Sequence, residues 1–496
     1  MRTKPVSVLL ALLMFGMTVP YARADIQGDL AKVRRNYSKK DQLEENVRIC
    51  ERIIASDGAS VAQRREAFEL LYRTYERLQK GAKAQEAVRR MRGTLADDPP
   101  AVRTSILLEA ELLRNRMRKP EEAVELLRGY AAAEANPADG RAEAYAKLVQ
   151  ILRDGGQYGA AMEAGAKAVE LRGDDEFVTR CLKETQEAAY RGELWDRCAE
   201  VLVRLLKPTY TKQMDDRDRT GMRERYGEVL SKGGRHEQAV AAYRGFERDA
   251  ADPQQAQRWA LLTGDAHSAG GDHKAALAAY ERVFTEYPGC SFHWYDAQGR
   301  IVEELIAKGE YAEALGAARI LLDAAWDRTR IVEAVQQMAR LLKAVDGNVA
   351  RANEFIAYQR YGPAGKDGKA GTDDDPKDVL TGTAYPRQPA REEAFAAARE
   401  AAGDDVEGAQ HRARTFTYSG QPEQALRHYM DAFLRAPARD FQSAGYDLIV
   451  IGARAVRGHA VGLEAFFDFV NHGPSGEDGK PGTEDDLKDP FEALLK

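Results

Sequence analysis

Two short stretches concentrate the side chains that could bind a hard cation. The first, GPAGKDGKAGTDDDPKD, opens at Gly362 and carries Asp367, Asp373, Asp374, Asp375 and Asp378. The second, GPSGEDGKPGTEDDLKD, opens 111 residues later at Gly473 and carries Asp478, Glu484, Asp485, Asp486 and Asp489. Gly362, Gly365, Gly368 and Gly371 recur every three residues, a spacing that excludes both helix and strand. Carboxylates this dense repel one another unless something neutralises them. Calcium would do so, because it accepts about six to eight oxygens in flexible geometry, including backbone carbonyls that glycine leaves accessible. Acids at matching places in both copies are the candidate ligands: Asp367, Asp374, Asp375 and Asp378, then Asp478, Asp485, Asp486 and Asp489. Thr372 or backbone carbonyls would complete the shell. Lys369 and Gly371 stand where an EF-hand needs acids or amides and then a glycine, so the loop is not an EF-hand. The alternative is a solvated acidic turn neutralised by Lys366, Lys369 and Lys377.

Elsewhere the chain offers little chemistry. Its eight histidines are scattered without an HExxH pair, and no cysteine pair has zinc spacing. No GxSxG elbow or phosphate-cradling GxxxxGK is present. His267 and His273 flank a turn and read as two exposed or half-buried imidazoles rather than a metal pair. Arg89, Arg90 and Arg92 read as a solvated helix face rather than a nucleic-acid patch. Cys50, Cys181, Cys198 and Cys290 are too few for a disulfide framework. Cys198 should face the chain near residue 185, so buried free thiols are expected. These absences point away from an enzyme, and no cofactor other than calcium is implied.

The elements that must carry these residues follow from periodicity. From about residue 60 an apolar-periodic helix, a short break and a second helix opening on a small residue recur. Clear copies are YAKLVQILRDGGQYGAAMEAGAKAVEL from Tyr145 and WALLTGDAHSAGGDHKAALAAYERVFTEYP from Trp259. The small residue falls at Ala87, Ala123, Ala161, Cys198, Ala239, Ala276, Ala314, Ala352 and Ala425. Most intervals run from 36 to 41 residues and the last, 73, is close to twice that. Such a period signals a helical repeat array. Two helices crossing at close range need a side chain no bulkier than alanine or cysteine. An aromatic four positions on (Tyr243, Tyr280, Tyr429) should fill space toward the next pair, and Trp195, Trp259, Trp294 and Trp326 should pack in the core or between repeats.

Gly264, Ala276, Tyr280 and Pro288 resemble the tetratricopeptide repeat signature, as do Gly227, Ala239 and Tyr243, and Ala425, Tyr429, Ala432 and Pro437. The period, about 37, departs from the usual 34. The resemblance implies an all-α solenoid of tandem helix hairpins with two irregular Gly/Asp-rich loops near its C-terminus. It also implies a protein partner held in a groove lined by the first helices. On this register the groove offers Glu69, Tyr72, Glu76, Gln150, Arg153, Glu224, Glu228, Asp265 and Glu303. The Gly-Asp loops themselves loosely resemble calcium-binding loops of secreted bacterial repeat proteins.

Residues 1–24 read as a signal peptide: Arg2 and Lys4, an apolar run from Val6 to Met17, then Ala22-Arg23-Ala24 before the expected cut. Removing them, with three basic side chains and no acid, takes the net charge from −6 to −9. That balance disfavours nucleic acid, and nothing later approaches a membrane span. The expected organisation is N-terminal helical repeats over 25–300, a helical module with its Gly-Asp loop over 301–385, a linker with a short helix over 386–410, and a second copy of the module over 411–496. Segments 311–380 and 422–491 align without a gap. The expectation is a non-catalytic protein-binding scaffold, periplasmic or secreted. The alternative is a calcium-dependent cell-surface structural or glycan-associated protein acting through the two loops.

Overall fold

A computed structural model describes residues 25–173, 175–325, 328–346, 349–361, 366, 372–373, 379 and 388–435. Among these residues there is no strand, and the chain is a succession of helix pairs. It divides into two compact units, Met1–Met222 and Arg223–Lys496.

In unit 1, α1 (Ile26–Asn36) and α2 (Leu43–Ala55) precede three regular hairpins: α3 (Val61–Arg77) with α4 (Gly81–Thr94), α5 (Pro99–Asn115) with α6 (Pro120–Ala132), and α7 (Ala138–Asp154) with α8 (Tyr158–Leu171). A fourth pairs α9 (Asp175–Arg191) with α10 (Trp195–Leu205), followed by the single turn α11 (Pro208–Thr211). The division between units falls within α12 (Asp216–Lys232). Unit 2 continues with α13 (His236–Arg248), α14 (Pro253–Ala269), α15 (His273–Thr285), α16 (Trp294–Ala307), α17 (Tyr311–Ala324), α18 (Arg328–Asp346) and α19 (Val349–Tyr361). It ends, among the described residues, with α20 (Pro389–Ala401), α21 (Val406–Tyr418) and α22 (Pro422–Arg435).

The hairpins share a closing device. Among the described residues, the one two positions before the second helix has positive φ in eight hairpins: Gly156, Gly234, Gly271, Gly309 and Gly420, but also Gln79, Arg118 and Glu193. A left-handed residue lets the next N–H turn back onto the helix just finished, as in a Schellman cap. Lys80 N donates to Tyr75 O, Gln157 N to Leu152 O, and Asp272 N to His267 O, at 2.8–3.0 Å. Helix starts are equally marked. Ser60 and Gln63 form a reciprocal capping box, Pro99, Pro120 and Pro253 occupy the first turn, and Asp272 accepts from Ala275 N at 3.0 Å.

All nine expected small residues are buried, from Ala87 to Ala425. In the register the structure defines, the crossing residue is the fourth of each second helix. Ala84, fully buried, therefore holds that place in α4, and Ala87 lies one turn further along. Both are small and share a face because they are three residues apart. The aromatic in the eighth place also packs within its own hairpin. Tyr243 and Tyr280 lie on Gly227 and Gly264 of their own first helices, where a Cβ would overlap the ring. Tyr243 also stacks on Trp259 of the following pair, with centroids 6.0 Å apart.

Within unit 1 each hairpin packs on the next, and first helices also meet directly, α5 on α7 and α7 on α9. Unit 2 stacks similarly from α13 to α19, and then α20 returns to α15 and α21 to α17. The stretch expected as a linker thus holds a helix packed into the core. Arg391 and Phe395 of α20 are 2% and 0% exposed, and Phe395 lies 4.8 Å from Trp294 between ring centroids. Trp259 and Trp294 are fully buried, and Trp195 meets Tyr190 edge-on at 5.5 Å. Trp326 lies outside the described residues.

Candidate functional site

The first-helix face expected to form the groove is laced by charge pairs that cross from one repeat to the next. In unit 1, α5, α7 and α9 enclose a recess of about 440 Å³ lined by Glu111, Glu143, Lys147, Gln150, Arg180 and Glu184, with Leu107 and Cys181 beneath. Lys147 Nζ lies 3.6 Å from Glu111 Oε2, and Gln150 Nε2 donates to Glu184 Oε1 at a long 3.4 Å. Glu143 is bracketed by Arg103 at 3.4 Å and Arg172 at 3.2 Å. Arg153 pairs tightly with Glu184. The recess therefore offers donors and acceptors of both signs, several in loose contacts that a ligand could displace. The Cys181 thiol beneath it is buried.

The expected groove residues are divided between the two units. Gln150 and Arg153 meet at Glu184 in unit 1. In unit 2, Asp265 and Glu303 meet at Arg300, at 3.1 and 3.0 Å, and Glu224 holds Arg258 in a two-bond pair. Glu228 pairs with Lys232 at 2.9 Å. Burial raises the Asp265 carboxyl above its ordinary value, although Arg300 and the Tyr280 hydroxyl, donating at 2.8 Å, oppose that. Burial likewise raises the Glu69 carboxyl, against Arg73 and Arg65; Glu69 and Glu76 are half-buried on α3. Tyr72 is buried, and its hydroxyl donates to Leu108 O at 3.3 Å, so it is a packing residue.

The arginine run on α4 is ion-paired rather than merely solvated. Arg89 and Arg92 converge on the buried Glu109, at 2.6 and 3.0 Å, and Arg90 chelates Glu51. His273 Nδ1 lies 2.7 Å from the buried Glu304, whereas burial pushes the His267 imidazole below its ordinary value. The cysteines are free thiols, and Cys198 Sγ donates to Gln186 O at 3.6 Å, next to the expected position. Among the described residues no three His, Cys, Asp or Glu side chains are placed to hold a metal. The candidate calcium ligands Asp367, Asp374, Asp375, Asp378, Asp478, Asp485, Asp486 and Asp489 lie outside the described residues.

Sequence reasoning missed a larger cavity in unit 2. It occupies about 1580 Å³ between the segment 286–296 and the returning helices α20 to α22. Arg391 secures the return. Its guanidinium donates to Glu281 Oε1 and Oε2 at 2.6 and 3.0 Å and to Gln298 Oε1 at 3.1 Å, and lies 3.9 Å from the centre of the Phe284 ring. Nothing in PAREEAFAAAREA marks that arginine, because its partners lie about a hundred residues away.

A tetratricopeptide repeat model matches residues 142–175, which cover most of α7 and all of α8. No curated protein matches the chain. Among solved structures it is similar to a chain of Naa15/Naa10 bound to HypK-THB, at 13% identity and a TM-score of 0.39, covering 95% of this chain and 70% of that one. It is similar to the TPR domain of P58(IPK), at 14% identity and 0.20, covering 77% and 98%. It is also similar to the apo quorum sensor NprR from B. thuringiensis, at 10% and 0.28, covering 67% and 97%. With its tandem hairpins and the repeat match on α7 and α8, the chain is a tetratricopeptide-like helical repeat protein. No helix among the described residues is long and apolar enough to cross a membrane.

Proposed function

We propose that the chain is a non-catalytic scaffold that holds a protein partner on the first-helix face of unit 1. The observation that carries this is the recess between α5, α7 and α9, whose charged and amide side chains span successive repeats at 3.4–3.6 Å and can exchange those contacts for a ligand's. Such a surface suits a peptide, which presents donors and acceptors along its length, and the contacts should weaken as salt rises. The step from architecture to partner binding is one of analogy.

The test is affinity capture with the wild type and with Glu111→Ala/Lys147→Ala, two partly exposed side chains, with an unchanged helical circular dichroism spectrum as the check on folding. A protein retained by the wild type and lost by the variant supports the reading. Equal retention by both overturns it, and recovery of polysaccharide instead favours the glycan-associated alternative. Export rests on the basic, apolar and small-residue order of residues 1–24, and a mature protein whose mass begins at Asp25 would support it. Calcium at the Gly-Asp loops rests on the matched acids. Melting should rise with millimolar calcium and return with chelator, and no heat on titration to about 10 mM, above the affinity range of extracellular modules, would leave the loops as solvated turns.

A further inference from the structure

The cavity of unit 2 differs in kind from the recess of unit 1. Its volume, about 1580 Å³, exceeds the roughly 300–1,000 Å³ typical of small-molecule sites. Tyrosines 287, 295, 418 and 429 line it, and Phe292 stands at its edge with 67% of its surface exposed. An exposed phenylalanine beside a tyrosine-lined hollow is a ready anchor for an apolar or cationic group.

The charge around this aromatic lining is one-sided. Five carboxylates belong to the wall, those of Asp252, Glu286, Asp296, Asp405 and Glu407, against the guanidiniums of Arg330 and Arg414. Both guanidiniums keep their charge but are held against neutral groups of the wall: Arg414 donates to Ser291 Oγ at 3.1 Å, and Arg330 lies over the Tyr295 ring at 5.5 Å. Asp252 and Asp405 each spend one oxygen on a helix cap, at 2.8 Å from Gln255 N and Gly408 N. Glu286 and Asp296 pair with Arg282 and His293. Burial pushes the His411 imidazole below its ordinary value, against a hydrogen bond to the Pro288 backbone.

We infer that this cavity is a second docking site, for an extended lysine- and arginine-rich peptide segment of a protein partner. Aliphatic stems and guanidinium planes would lie on Phe292 and the tyrosines, while the positive heads meet the surrounding carboxylates. The inference shares the scaffold reading but assigns a different site and a partner chemistry. It is tested on purified full-length protein, so its failure leaves the recess of unit 1 untouched.

The probe is a fluorescent ten-residue peptide alternating lysine and alanine, with an alternating glutamate and alanine peptide as its counterpart, read by anisotropy. The basic peptide should bind and the acidic one should not. Phe292→Ala should weaken binding about tenfold, the loss of one favourable cation–aromatic contact. Glu407→Lys, at an exposed position of the wall, should weaken it several-fold. Glu163→Lys, an equal charge change at an exposed position on α8, should leave it unaltered. Because all three positions are exposed, loss of folding does not confuse the result. Equal binding of both peptides, equal weakening by Glu407→Lys and Glu163→Lys, or indifference to Phe292→Ala would each overturn the inference.

Discussion

Gly227 and Gly264 lack a Cβ where Tyr243 and Tyr280 need to lie, and this pairing of nothing against a ring sets how closely the two helices of a hairpin approach. Gly264→Ala should therefore cost about 1–3 kcal/mol by overpacking, seen as a lower denaturation midpoint. Adding Tyr280→Leu should recover part of the loss, because the two substitutions act on one contact. The glycine and tyrosine were both legible in the sequence, but their mutual contact was not, since the motif gives spacing and no direction. Cys50 is another residue whose surroundings dictate its chemistry. Burial pushes its thiol from 9.0 up to about 12. The folded protein thus keeps a proton that the unfolded chain gives up above pH 9, so this group's contribution is complete below pH 9 and is lost as pH rises toward 12. The slope is about 1.4 kcal/mol per pH unit at most. Cys50→Ala should remove that increment from the alkaline stability profile, and an unchanged difference between wild type and variant from pH 8 to 10.5 would show that the thiol is not shielded.

At the level of the helix pair, the turn explains what periodicity could and could not reveal. Glycine at 156, 234, 271, 309 and 420 announces a break, and those hairpins are readable directly. Gln79, Arg118 and Glu193 adopt the same left-handed backbone with no sequence sign of it. Their neighbouring helices were readable only through the apolar period and the small crossing residue. The slip from Ala84 to Ala87 arose in one of these hairpins, where the left-handed residue is not a glycine. A side chain in that conformation costs about 1–2 kcal/mol, of which glycine's greater freedom when unfolded returns about 0.5–1. Gln79→Gly, Arg118→Gly and Glu193→Gly should each raise stability by up to about 1 kcal/mol, and Gly271→Ala should lower it by about as much as a glycine-free turn costs. Thermal melts of the four variants would check both signs at once.

Across the molecule, two kinds of contact hold the described residues together. Most join neighbours in sequence, which is why the repeat architecture could be read from spacing alone. The return of α20 to α15 is of the other kind, and Arg391 is its centre. Arg391→Ala should cost about 3 kcal/mol, toward the low end for a broken buried ion pair because Glu281 keeps some solvent contact. Arg391→Met, which retains the stem over Phe284, should cost less, and equal losses for the two would assign the effect to the guanidinium's bonds rather than to packing. The span between Arg391 and Glu281, 110 residues, also has a kinetic meaning. Hairpins close over short stretches of chain and can form as soon as they are synthesised. Docking α20 brings together segments far apart in the chain, an entropic cost that only the completed aromatic cluster offsets. The last helices should therefore dock late, and until they do Phe284 and Trp294 face water. A ribosome stalled before residue 389 would release a chain whose repeats are formed but whose apolar seam is open to chaperones and proteases.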